Sequence, residues 1–228
     1  IRHYGKIRWP LLICFAMADA PVIIYGAGGL GREMLATVIR CGRQVTGFVD
    51  DGLHPGTMVA SVPVLGDVNW LLSGKAEDSV ILLAFGSSEI RKKVLSKIEM
   101  SPVIRFCEPL VDPAAVLTDP GSIRLGRGTV ITAGAVLTTG ITLGDHVLVN
   151  LNTTIGHDTV VGSSTCIMPG CSISGQVTLG SGVFLGSGAI VLNGIQIGND
   201  CMVGAGSVVN HDVAPGKRVI GSPAREWK

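Results

Sequence analysis

Charge is scarce in this 228-residue chain: 15% of the residues are charged, and 18 basic against 17 acidic side chains leave a formal net charge of +1. That balance provides no basic stripe for nucleic acid or an anionic membrane, and it favours a small partner over a polyanion. Aromatics are scarce as well, at 4%. The six cysteines form no CxxC pair, which excludes a zinc knuckle and a disulfide framework and fits a reducing compartment, the cytoplasm. No uninterrupted apolar run is long enough to span a bilayer. What remains is 46% hydrophobic residues and 32 glycines. The first is enough for one large or two modest cores, and the second implies a backbone that turns often.

The amino end, "IRHYGKIRWPLLICFAMADA", places basic residues, a short apolar run and Ala-Asp-Ala in an order that superficially resembles a secretory signal. The run is short and interrupted, and Met17 stands where an initiator would suit the following strand, so residues 1–20 are expected to be a leader or added segment.

An internal period is the strongest signal in the chain. Every sixth residue from Leu125 to Val209 is Leu, Ile or Val, fifteen positions without an insertion. Two residues earlier stand small or β-branched side chains such as Thr129, Ala135, Thr153, Cys171 and Ala189, and one residue later Gly recurs, as at 126, 144, 156 and 162. A period of six matches neither a helix nor an isolated strand; it is a short strand plus a turn. Stacked in threes, such units give a triangular prism of five coils whose aliphatics form inward ladders, with the recurring Gly expected at the corners. The expected outward positions include Val147, Ala189 and Met202.

Ahead of the prism, "PVIIYGAGGLGREMLATVIRCGRQVTGFVDD" reads as strand, glycine loop, helix and strand. Gly26, Gly28 and Gly31 have GxGxxG spacing, and Asp50 with Asp51 ends the second strand. Glycines let backbone N–H groups approach a phosphate at a helix amino end, and an acid at the next strand end can accept hydroxyl protons. The later segments "SVILLAFGSSEIRKKVLSKI" and "VIRFC" complete only about half a dinucleotide fold, which suits a mononucleotide better than NAD. Four segments result: 1–20, a Rossmann-like α/β domain over 21–108, the prism over 109–217, and a tail over 218–228.

This order resembles the sialic acid O-acetyltransferase-like family of hexapeptide-repeat acyltransferases, in its nucleotide-sugar N-acetyltransferase branch. The resemblance is carried by "YGAGGLG", "FVDD", "FGSSEIRKK", "IGHDTVVG" and "IGSPAR". It implies a left-handed parallel β-helix, a homotrimer, and transfer of acetyl from acetyl-CoA to the amine of a nucleotide-linked amino sugar, without a metal. O-acetylation of a sialic acid-like sugar is the alternative. By the same resemblance His157 is the general base and Asp158 its support. Gly28, Gly29, Leu30, Asp50, Asp51 and Gly86 face the nucleotide sugar. Cys166, Gly175, Ser187 and Ala205 line the cofactor arm, with Lys217 or Arg225 near its phosphates. Many relatives carry a second histidine where this chain has Cys166, which is read as a pocket wall. Chemically, a neutral imidazole can take a proton from an attacking amine near neutral pH, and a nearby carboxylate stabilises the imidazolium.

Overall fold

The computed structural model describes residues 20–227; apart from Ala20, the expected leader lies outside them. Strand β1 (Val22–Tyr25) is four consecutive apolar residues, all buried, as in a strand covered on both faces. The chain continues through α1 (Gly29–Arg40), β2 (Val45–Val49), β3 (Met58–Val59), β4 (Val62–Gly66), α2 (Val68–Leu72), β5 (Val80–Leu83) and α3 (Ser88–Ile98). The sheet order is β3-β4-β2-β1-β5. Strands β4, β2, β1 and β5 pair in parallel, and β3 closes a hairpin on β4. Alternation sorts the side chains: Val22 and Ile24 pack with Met34, Leu35 and Val38 of α1, whereas Ile23 and Tyr25 pack with Leu71, Val94, Leu95 and Ile98 on the opposite side.

The second domain is a parallel β-helix of two-residue strands arranged in three sheets. Strands eighteen residues apart pair in parallel, as Val136 with Thr154, Thr142 with Val160 and Leu148 with Cys166. The sixth-residue aliphatics form its interior with the small residues two positions earlier. Ala189 and Val147 belong to that interior and are fully buried, which corrects their expected outward placement; Met202 is outward, at 38% exposure. Ala189 is the small inward residue of its hexad, and Val147 occupies the same phase.

The corners also differ from the expectation. The backbone turns through positive φ at every sixth residue, including Gly128, Gly134, Gly140, His146, Asn152, Asp158 and Ser164, two residues beyond the recurring Gly. That recurring Gly serves stacking instead. A methyl group on Gly156 would come within 2.6 Å of the Gly175 nitrogen in the next coil, and one on Gly144 within 2.7 Å of the Ser163 nitrogen.

The helix begins before the uninterrupted repeat. Strands Leu110–Val111 and Val116–Leu117 pair with Val130–Ile131 and Val136–Leu137, but a 3-10 turn at Pro120–Ser122 shifts the register, which hid this first coil from a strict sixth-residue count. At the far end Arg218–Ile220 pairs with Met202–Val203, and Arg225–Glu226 folds back antiparallel on it. Of the three faces, that carrying Val130, Leu148, Cys166 and Phe184 outward is covered by the α/β domain. We call it the covered face; the others are the apolar face (Val116, Val136, Thr154, Ser172, Ile190, Val208) and the polar face (Arg124, Thr142, Val160, Thr178, Gln196).

Candidate active site

The glycine loop divides into packing and open positions. A methyl group on Gly31 would overlap the Gly26 carbonyl, and Gly26 itself has a φ of 108° with the Ala84 oxygen 2.9 Å from where a Cβ would stand. Gly28 and Gly29 have nothing within 4 Å of that position. Gly28 caps α1 without a side-chain hydrogen bond, and no acidic residue occupies the first turn. The amino-terminal N–H groups of Gly28, Gly29 and Leu30 thus form an open, positively polarised helix end, the arrangement that receives a phosphate. Gly86 faces the same crevice: a Cβ there would stand 3.8 Å from Leu30 and 3.9 Å from Met168 of the β-helix.

Asp50 and Asp51 sit beside this loop, and both carboxylates are already engaged. Ala27 N–H and Gly52 N–H donate to the two oxygens of Asp50, at 2.8 and 2.9 Å. Tyr25 O–H and Val68 N–H donate to those of Asp51, both at 2.9 Å. Burial, then the hydrogen bond to Asp51, pushes the Tyr25 phenol above its usual range. The pair shapes the loop.

His157 and Asp158 occupy a corner between the apolar and polar faces. Asp158 is the positive-φ residue there, at 57°, a conformation that Asp tolerates better than most side chains. Its Oδ2 lies 2.9 Å from His157 Nδ1, and both side chains are more than half exposed. An ionised Asp158 holds the proton on Nδ1 and leaves Nε2 as the acceptor. Gly175, in the next coil, lies directly under the ring, where a methyl group would overlap Nε2.

Ser187 and Ala205 are exposed and stand one above the other on a different edge, between the covered and apolar faces; Gly206 N–H donates to the Ser187 carbonyl at 2.9 Å. The crevice at Gly86, through Met168, adjoins that same edge. One chain therefore groups Gly28, Gly86, Ser187 and Ala205 on one side of the apolar face and His157 with Gly175 on the other. Cys166 departs from its expected role. It is fully buried between the domains, its Sγ directed at the Phe85 carbonyl 3.9 Å away, so it lines no open channel in this chain. Lys217 pairs with Glu226 at 2.7 Å, and Arg225 contacts His211 Nε2 at 2.5 Å.

Sequence reasoning missed the seam between the domains. Arg40 at the end of α1 forms two 2.9 Å hydrogen bonds with buried Asp112, which hold that carboxylate below its usual range. Arg91 is fully buried and donates to the Phe85 carbonyl at 3.0 Å, while its Nε and Nη1 have no partner. His146 is buried edge-on to Phe106, with neither ring nitrogen bonded. Burial, helped by the Arg91 charge, lowers its pKa to about 4. Only the 18-residue recurrence of outward apolar residues at Val130, Leu148, Cys166 and Phe184 signalled this seam. Among the described residues no group of three or more His, Cys, Asp or Glu could hold a metal ion, and no helix is long and apolar enough to cross a membrane.

Known proteins align with this geometry. The profile described as the PglD N-terminal domain matches residues 21–98, and that of the bacterial transferase hexapeptide (six repeats) matches 158–193 and 176–211. Among solved structures, perosamine N-acetyltransferase from Caulobacter crescentus, in complex with CoA and GDP-perosamine, is 31% identical. The match covers 91% of this chain and 97% of that one, at a TM-score of 0.84, and the protein crystallised was a variant with one histidine replaced by asparagine. The acetyltransferase domain of PglB from Neisseria gonorrhoeae, with acetyl coenzyme A, is 29% identical over 92% and 100% of the two chains, at 0.82. WeeI from Acinetobacter baumannii is 27% identical over 91% and 99%, at 0.81. No curated protein sequence matches. The chain belongs to the PglD-like family of hexapeptide-repeat N-acetyltransferases, acetyl-CoA-dependent enzymes that act on nucleotide-linked amino sugars.

Proposed function

We propose that His157 is the general base of this acetyl transfer and Asp158 the group that fixes its tautomer. The observation that carries this is the 2.9 Å contact between His157 Nδ1 and Asp158 Oδ2 on an exposed corner. The acceptor is the amine of a nucleotide-linked dideoxy sugar, its diphosphate at the Gly28–Leu30 helix end and its sugar reaching past Gly86. Acetyl-CoA supplies the activated acetyl group; its thin arm suits the edge at Ser187 and Ala205, where side chains are small. His157 Nε2 accepts the ammonium proton as the nitrogen attacks, and Asp158 stabilises the resulting imidazolium.

Because His157 and the nucleotide crevice flank the apolar face on opposite edges, the complete site forms between chains. A homotrimer with the apolar faces inward would bring one chain's His157 edge against its neighbour's Ser187 edge. The exposure of Val116 and Ile190 on that face, with Leu151 and Leu192 at corners beside it, supports this reading. His157→Ala is expected to lower kcat ~100-fold or more with little change in acetyl-CoA affinity, and Asp158→Asn to cost less. Thiol release measured across UDP-, dTDP- and GDP-linked 4-amino and hydroxy sugars is the test. Near wild-type turnover in His157→Ala overturns the mechanism, and activity only on hydroxyl acceptors reassigns the reaction to O-acetylation. A monodisperse monomer in light scattering at micromolar concentration overturns the shared site.

A further inference from the structure

The break in the hexad register at Asp119–Ser122 lies on the His157 edge, one coil below Thr139 and two below His157. There it does more than turn the chain. Thr139 O–H donates to Asp119 Oδ2 at 2.9 Å, and its Oγ1 lies 3.1 Å from Ser122 Oγ. Gly140 N–H donates to Ser122 Oγ at 2.8 Å. The corner held in this way is the one on which the catalytic corner rests: Asp158 N–H donates to the Thr139 carbonyl at 3.0 Å. A methyl group on Gly140 would stand 2.6 Å from Asp158 Oδ1. From Asp158 the contact continues to His157 Nδ1.

We propose that Asp119, Ser122 and Thr139 are positioning residues for the reaction, a side-chain prop that fixes Asp158 and through it the orientation of the His157 imidazole. The proposal rests on His157 acting as the base. Its physical basis is the sensitivity of proton transfer to placement: an ångström of drift in a catalytic group can cost ~100-fold in rate. Asp158 has a half-exposed side chain and a positive φ, so its own neighbours constrain it weakly. The register break brings both Asp119 and Ser122 within hydrogen-bond reach of the corner beneath Asp158, so that corner is held by two side chains at once.

The test uses the full chain with Thr139→Val, which removes the hydroxyl at nearly constant volume, and Thr139→Ser, which restores it. Turnover is measured with acetyl-CoA and the sugar nucleotide most active in the panel above. The ¹⁵N shifts of the His157 ring are measured alongside, because they report which nitrogen carries the proton. Thr139→Val is expected to lower kcat about 10-fold at unchanged KM for both substrates, and to shift the ring population away from the Nδ1–H tautomer. Thr139→Ser is expected to restore both. A fall in melting temperature with kcat and ring shifts unchanged reduces the prop to a structural turn and overturns the proposal, as does a kcat loss without a tautomer change. Failure of the catalytic reading is read separately: full turnover in His157→Ala removes the base, whereas the ring shifts still report whether the prop holds the imidazole.

Discussion

Gly175 lies beneath the imidazole of His157 so closely that any Cβ would overlap Nε2. The relationship spans one coil and depends on the 18-residue stacking that also joins the Gln176 N–H to the His157 carbonyl at 2.7 Å. Gly175 was read from the sequence as a cofactor contact; in the structure its immediate role is to leave room for the ring. Gly175→Ala is therefore expected to displace the imidazole from Asp158 and to lower kcat at least ~10-fold. Its backbone has no positive φ to defend, so the fold should persist. Circular dichroism with steady-state kinetics checks this, and wild-type kcat would show that the ring does not need this seat.

The glycines of the first loop predict opposite outcomes within three residues of each other. Gly31→Ala drives a methyl group into the Gly26 carbonyl, and overpacking of that kind costs about 1–3 kcal/mol of stability. Gly28→Ala meets open space and should leave stability nearly unchanged while raising KM for the sugar nucleotide, since in the proposed site the methyl group stands where the phosphate approaches. Chemical denaturation and substrate titration separate the two. Loss of stability in both variants would mean that Gly28 packs rather than binds.

The arm of acetyl-CoA supplies a third test. Ala205 is exposed beside Ser187 on its edge, so Ala205→Trp adds bulk to a surface without disturbing the interior. Acetyl-CoA affinity should fall ~10-fold or more while binding of the sugar nucleotide holds, as expected for loss of one ligand's contacts alone. Calorimetry with each ligand checks this, and equal loss of both would show the two subsites to be wrongly divided.

Much of this architecture was legible because a β-helix writes its interior into the sequence at fixed spacing. The ladder from Leu125 to Val209, the glycine loop and the His157–Asp158 pair all depend on residues close in the chain. The corner assignment failed for a physical reason: Gly recurs both where φ is positive and where the next coil comes too close for a Cβ, and the sequence does not distinguish the two. Non-Gly residues at positive φ, such as His146, Asn152 and Asp158, hid the true corner phase. Cys166 was misjudged because its burial is imposed by another domain, through contacts with residues some eighty positions away. The prop under Asp158 was invisible because it follows from a register shift that breaks the period.

The seam between the domains carries a pH dependence whose sign follows from His146. Its ring is buried beside Phe106 and faces the charges of Arg91, Arg127 and Asp145; burial first, then Arg91, lowers its pKa from 6.5 to about 4 in the folded chain. The unfolded chain therefore binds a proton at His146 below pH 6.5 that the folded chain refuses until about pH 4. The stabilisation from keeping the ring neutral is complete above that window and lost through it as pH falls, by roughly 3 kcal/mol. Asp112 acts in the same direction but lower. Its carboxylate is held below the ordinary range by Arg40, so its contribution is complete above the usual carboxylate pKa and is lost as pH falls from there through the lowered folded value. His146→Asn keeps a residue suited to the positive φ of 57° and removes the titrating ring. Denaturant unfolding at half-unit steps from pH 7.5 to 3.5 should show the wild-type chain losing more stability than the variant between pH 6.5 and 4, and the two curves running parallel outside that interval. Parallel curves throughout would mean that His146 titrates alike in the folded and unfolded chains, and the seam would then carry no proton-linked strain.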